Sequence, residues 1–273
     1  AAADSCRHLG LVTRQMEKAF YPGIGVFANW NNFKGRFYVP RGGAAATMHH
    51  DWIEFGRLRG ANVLWTEDWY ASGWQWPFWC AKLAAGARKG GLRYGGYIVP
   101  RSYGDDHGIT QSILSLVGHG GKVVQYFIFG PEYIFPSNCY SYKAAKLLPR
   151  MARAHHMIGK AEEVLWPGQR PRSQVALLSP MSPQVWDQPG VFDATNTLVY
   201  FKTMSYMGEL YAQFFSLLRH NIPADFIEEL DLTPAGLKPY KVLYVTAPNV
   251  PRAAQANLVQ WVKEGGTLVT CQG

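Results

Sequence analysis

The sequence lacks the features that mark several common protein classes. Its apolar runs are all shorter than the roughly 18 residues that a membrane-spanning helix needs. The first residues, AAADSCRHLG, show neither the basic nor the apolar segment of a secretory signal peptide. The four cysteines are far apart in sequence and form no CxxC pair. The sequence therefore predicts no membrane partner, no disulfide framework and no metal site, and it leaves the compartment open.

Charged residues are scarce and scattered. They make up 17% of the chain, and the net charge is +8. A nucleic-acid-binding protein usually clusters its positive charge, but no run of Lys and Arg here is longer than Arg88-Lys89. The Gly-rich pieces GLRYGG and GHGG match neither GxGxxG nor a P-loop. We therefore expect a globular protein without a nucleic-acid partner and without a cofactor.

Tryptophan, in contrast, is abundant and concentrated near the start. Seven of the ten tryptophans precede residue 80. Core packing could account for all of them. Tryptophan also offers a large rigid face and an N–H donor, which suit the apolar faces and hydroxyl groups of sugar rings. Because these tryptophans lie beside carboxylates and asparagines in sequence, their clustering favours a carbohydrate ligand.

The segment NVLWTEDW carries the most specific chemical signal. A short apolar run ends in two carboxylates, Glu67 and Asp68, between Trp65 and Trp69. This pattern is typical of a buried parallel strand that has acidic residues at its carboxyl end. Neighbouring strand residues point to opposite faces, so Glu67 and Asp68 are not predicted to form an acid and nucleophile pair. One of them is a catalytic or sugar-binding candidate; the alternatives are pairing with arginine or backbone N–H groups, or simple surface exposure.

Other candidates follow neighbouring strands. Asn29 and Trp30 end the run GVFANW, and the asparagine could bind sugar hydroxyls or serve turn chemistry. Arg101 follows YGGYIVP and is either a substrate clamp or part of a solvated turn. Glu132, in FGPEY, is the best candidate for a second carboxylate, although it could equally pair with a surface lysine.

Strand and helix patterns alternate along the chain, which predicts parallel sheets. Up to residue 165 the predicted strands are 25–30, 62–69, 94–99 and 122–129, the last of them buried on both faces because its apolar and polar residues do not alternate. The predicted helices are 50–59, 79–88, 109–117 and a helix or helix pair over 142–165 that is bent or broken at Pro149. The run WPGQRPR then predicts a boundary between domains 1–165 and 172–273. In the second domain we expect strands at 174–178, 224–228, 241–246 and 267–271 with helices at 195–219 and 252–263.

The runs GVFANWNN, HHDWIEFGRLRGANVLWTEDW, RYGGYIVPR and GHGGKVVQYFIFG together resemble glycoside hydrolase clan A, and most closely the family 42 β-galactosidases. The resemblance implies that residues 1–165 form the C-terminal half of a (β/α)8 TIM barrel. QVALLSP, PYKVLYVTAPNV and EGGTLVT resemble the family's flavodoxin-like, glutamine-amidotransferase-like trimerisation domain. The resemblance implies that the protein hydrolyses β-linked sugars, binds a carbohydrate substrate and assembles as a homotrimer.

Two departures from that family matter. By this resemblance, the chain lacks barrel strand four, which carries the family's acid/base. The run that matches the nucleophile strand ends in Pro100-Arg101 rather than in glutamate. The chain has no initiator Met and stops directly after a predicted strand, so we expect a fragment that is inactive alone. The alternative is a non-catalytic carbohydrate-binding or oligomerisation protein with a degenerate barrel.

Overall fold

The computed structural model describes residues 2–27, 51–68, 76–99, 106–127, 147–186 and 205–271. The protein is of the mixed α/β class, and the two sheets formed by the described residues are both parallel. The chain divides into two compact units. One comprises Ala1–Phe33 with Trp52–Arg170, and the other comprises Lys34–Asp51 with Pro171–Gly273. In the part of the chain described, no helix is both long enough and apolar enough to span a membrane.

The first unit is a series of strand–helix repeats. Its elements are α1 (Ala2–Ala19), α2 (Trp52–Arg57), β1 (Val63–Asp68), α3 (Trp76–Gly90), β2 (Arg93–Ile98), α4 (Asp106–Gly118), β3 (Val123–Tyr126), α5 (Leu148–Gly159) and α6 (Glu162–Leu165). The strands pair in the order β1-β2-β3. A parallel pair of strands needs a long crossover connection, and α3 and α4 supply the two crossovers here.

One face of this sheet is covered by helices. Ile98 of β2 packs with Ile109 and Ile113 of α4 and with Met151 of α5, and all four are buried. Tyr126 of β3 packs against the same cluster. Burying aliphatic side chains of this size contributes about 1.5–3 kcal/mol each relative to leaving them exposed. This apolar layer packs the helices against one face of the sheet. The opposite face of the sheet makes other contacts.

A single asparagine ties the segment after α1 to the start of β1. The Asn62 amide accepts a hydrogen bond from Val26 N at 2.7 Å and donates to Ile24 O and Glu17 Oε1, both at 2.6 Å. All three bonds join residues more than 30 positions apart in sequence. These side-chain hydrogen bonds connect the two segments where a regular strand pair would use backbone hydrogen bonds.

Asn62→Ala is expected to lower the free energy of unfolding by about 2–4 kcal/mol, because it leaves several partly buried groups without partners. Denaturant unfolding followed by circular dichroism measures the loss. Asn257→Ala is the matched control, since the Asn257 amide makes one such bond, to Leu232 O at 2.9 Å. Equal losses in the two variants would contradict this role of Asn62.

The second unit places helices around a four-stranded sheet. Its elements are β4 (Val175–Ser179), α7 (Met181–Trp186), α8 (Ser205–Arg219), β5 (Asp225–Glu228), a 3-10 turn (Glu229–Asp231), α9 (Pro234–Leu237), β6 (Val242–Val245), α10 (Arg252–Lys263) and β7 (Thr267–Thr270). The strand order is β5-β4-β6-β7. Leu178, Leu243, Leu258 and Trp261 are among the buried residues of its core.

The sequence patterns predicted most of these elements, with some differences. Helices α1, α7 and α9 were not predicted. Residues Gly25–Phe27 do not form the predicted strand. The backbone N–H of Val26 donates to the side chain of Asn62 rather than to the backbone of a neighbouring strand. Pro149 lies in the first turn of α5, where a missing N–H costs nothing, and the interruption within the described part of this helical region falls at Lys160–Ala161. Strand β3 is only partly buried, whereas burial on both faces was predicted.

Candidate functional site

The carboxyl ends of the three strands in the first unit meet at one edge of the sheet. The register pairs Glu67 with Tyr97 and Asp68 with Ile98, and it pairs Tyr97 with Gln125. Binding and catalytic groups of parallel α/β proteins lie at this edge, because the loops that follow the strands converge there. We call it the carboxyl edge.

Four aromatic rings form a continuous row beside the carboxyl edge. Ring centroids are 4.7 Å apart for Phe27 and Trp65, 4.9 Å for Trp65 and Tyr97, and 5.9 Å for Tyr97 and Phe127. These separations lie within the range of favourable aromatic pairs. Trp65 is fully buried, whereas Phe27 keeps 38% of its surface exposed and Tyr97 and Phe127 are half-buried. Trp65 therefore fixes the aromatic row to the protein interior, and the other three rings are partly exposed to solvent.

Gly95 makes room for this row. A Cβ atom at Gly95 would lie 2.8 Å from Cζ3 of Trp65 and 2.4 Å from the carbonyl oxygen of Val123. The second contact is with backbone, which cannot rotate away as a side chain can. Any larger residue at this position would displace Trp65 or separate β2 from β3.

The anchor of the row also carries an unused donor. Nε1 of Trp65 is buried and has no hydrogen-bond partner among the described residues. Leaving a buried polar group unpaired costs about 1–3 kcal/mol. The partly exposed rings of Tyr97 and Phe127 are flat apolar surfaces of the kind on which the C–H faces of a sugar ring stack.

The predicted site residues separate into two groups. Trp65, Glu67 and Asp68 lie on β1, and strand alternation assigns position 67 to the Trp65 face and position 68 to the face of Leu64. The side chains of Glu67 and Asp68 lie outside what the structure describes. The other predicted residues also lie outside it: Asn29, Trp30, Trp69, Arg101 and Glu132.

Sequence reasoning did not select three members of the aromatic row, namely Phe27, Tyr97 and Phe127. A usable signal existed for Tyr97, since it stands two residues after Gly95 in YGGYIV and hence on the same strand face. For Phe27 and Phe127 the sequence offered none, because their contacts depend on the packing of distant segments.

No group of three or more His, Cys, Asp or Glu side chains that could hold a metal ion occurs among the described residues. None of the known protein-family models matches this chain, and no functionally curated protein shows significant sequence similarity to it.

Proposed function

We propose that this chain is part of a glycoside hydrolase that acts on β-linked sugars, and that the sugar binds along the aromatic row at the carboxyl edge. The observation that carries the proposal is the row itself. It places the faces of half-buried rings beside the strand position of Glu67. In this role Glu67 acts as one carboxylate of a two-carboxylate mechanism, and Glu132 is the candidate for the other.

The proposed chemistry divides the work between these two groups. One carboxylate attacks the anomeric carbon while the other protonates the leaving oxygen, and a retaining reaction requires about 5–5.5 Å between them. Asn29, Trp30, Asp68, Trp69 and Arg101 are proposed to contact the sugar. The aromatic row would then hold the ring by stacking and leave its reacting carbon near the strand end.

The proposed architecture is half of a (β/α)8 barrel followed by a flavodoxin-like domain. Three consecutive parallel strands with helical crossovers support the first part. The order β5-β4-β6-β7 supports the second, because in sequence order it reads 2-1-3-4, the start of the flavodoxin-like order. By its resemblance to glutamine-amidotransferase-like domains, this part is proposed to assemble the protein as a homotrimer.

A second candidate function is carbohydrate binding or assembly without catalysis. It is favoured by Pro100-Arg101, which follow β2 where the resembled family has its nucleophilic glutamate. Two measurements on the full-length protein separate the candidates. Hydrolysis of aryl β-glycosides supports the enzyme, whereas calorimetric binding of the same sugars without hydrolysis supports the binding protein.

Tyr97→Ala is expected to weaken the binding of methyl β-galactoside by about tenfold, because it removes the half-buried ring at the centre of the row. Isothermal titration calorimetry measures the affinity. Tyr126→Ala is the matched control, since Tyr126 lies on the neighbouring strand but packs against the opposite, helix-covered face. Unchanged affinity in Tyr97→Ala, with binding by the native protein, would remove the row from the sugar site.

A further inference from the structure

A cavity of about 430 Å³ lies at the opposite end of the same sheet. Its walls are the end of α3, the start of β2, the turn before β3 and the segment that follows α6. The lining includes Arg88, Arg93, Lys122, Trp166 and Arg170. Because β2 and β3 begin here, the cavity is separated from the carboxyl edge by the length of the strands. We call it the basic cavity.

The charges that line the basic cavity are all of one sign. Two arginines, Arg88 and Arg93, come from the α3–β2 connection, Lys122 precedes β3, and Arg170 closes the wall. None of the described residues that line the cavity carries a carboxylate. Field lines concentrate in a cleft lined by one sign of charge, which raises the local concentration of ions of the opposite sign.

Helix ends offset part of this positive charge. The carboxyl ends of α3 and α4 lie beside the cavity, and each contributes about half a negative charge from the aligned peptide dipoles of its helix. Lys122 has a structural task, since its ammonium group donates to Leu165 O and, at 2.8 Å, to Gly168 O. These effects reduce the positive charge that Arg88, Arg93, Lys122 and Arg170 bring to the cavity.

The polar groups between the cations do not neutralise them. The Tyr94 hydroxyl donates to His119 O, and burial raises the pKa of Tyr94 above its usual range. Nδ1 of His119 donates to Ser115 O at 2.8 Å. Burial lowers the pKa of His119 to about 4, and the charge of Arg170 acts in the same direction. At neutral pH both side chains are therefore uncharged, so the net charge of the cavity comes from its arginines and lysine.

We propose that the basic cavity binds a monosaccharide-sized anion through a tetrahedral phosphate or sulfate group. Guanidinium groups bind such oxyanions through two parallel N–H donors, which gives geometric selectivity as well as charge. The cavity is larger than a bare oxyanion, and Trp166 in its wall is 54% exposed and offers a flat face to a sugar ring. This site is independent of the sugar site proposed at the carboxyl edge.

Isothermal titration calorimetry of the native chain with glucose 6-phosphate, glucose 6-sulfate, inorganic phosphate, inorganic sulfate and glucose tests the site. We expect glucose 6-phosphate or glucose 6-sulfate to bind more tightly than either inorganic ion, and glucose not to bind. The two sugar esters distinguish phosphate from sulfate as the group recognised. The double variant R93Q/R170Q is expected to weaken that binding by about tenfold or more, since two charge-assisted contacts are lost.

The control R153Q/K160Q removes the same charge from exposed positions of the α5 region that do not line the cavity, and it is expected to bind normally. A Trp166→Ala variant is expected to weaken binding of the sugar ester without altering that of the inorganic ion, and it tests the site even if the double variant fails to fold. Failure of both sugar esters to bind, equal binding of glucose, or equal losses in the two double variants would overturn the proposal. Inorganic ions that bind as tightly as the esters would overturn the assignment of a sugar-sized ligand.

Discussion

Glu67→Gln is expected to lower the turnover of aryl β-glycosides by the full-length protein about 10²–10⁴-fold, the range that a positioned acid or base contributes. Glutamine keeps the size of the side chain but can neither attack a carbon atom as an anion nor transfer a proton. Position 67 pairs with Tyr97 and shares the strand face of Trp65, so its loss would act beside the aromatic row. Sugar affinity should fall much less than turnover.

Asp68→Asn is the matched comparison for this prediction, because Asp68 is proposed to contact the sugar without taking part in the chemistry, so its change should lower turnover much less than Glu67→Gln does. It removes the same charge one residue further along β1, at a position that strand alternation assigns to the opposite face. Steady-state kinetics and thermal unfolding of both variants separate catalysis from stability. Native turnover in Glu67→Gln would eliminate Glu67 from the mechanism, and equal losses in both variants would indicate that the charge of the strand end matters rather than one carboxylate.

Gly86→Ala is expected to lower the free energy of unfolding of the first unit by about 3 kcal/mol or more, at the upper end of the cost of overpacking. A Cβ atom at Gly86 would lie 2.0 Å from the carbonyl oxygen of Trp52. Reciprocally, a Cβ atom at Gly56 would lie 1.9 Å from the carbonyl oxygen of Gly86. Helices α2 and α3 therefore touch backbone to backbone, and neither partner can move aside as a flexible side chain would.

Gly118→Ala serves as the control in the same unit. No atom lies within 4 Å of a Cβ atom at Gly118, so alanine is expected to change stability by less than about 1 kcal/mol, and in the stabilising direction. Denaturant unfolding monitored by circular dichroism compares the two variants. A stable, cooperatively unfolding Gly86→Ala variant would show that α2 can move away from α3 at little cost.

Local sequence patterns predicted many of the regular elements because those patterns report local burial. The strand predicted at 241–246 is observed as Val242–Val245, and the helix predicted at 252–263 has those bounds. The parallel pairing of β1 with β2 also followed from the alternation of strands and helices. Helix α1 went unpredicted even though it is long and amphipathic, and attention to its apolar spacing would have found it.

Within the candidate site, the sequence by itself determined where carboxylates and tryptophans stand relative to the strand end, since Trp65, Glu67 and Asp68 are neighbours in the chain. Strand alternation also determined that Glu67 and Asp68 belong to opposite faces. The aromatic row and the basic cavity were decided by the tertiary structure alone. Phe27 meets Trp65, and Arg93 shares a cavity with Arg170, only because packing brings together segments that are dozens of residues apart, and no local pattern of residues encodes such contacts.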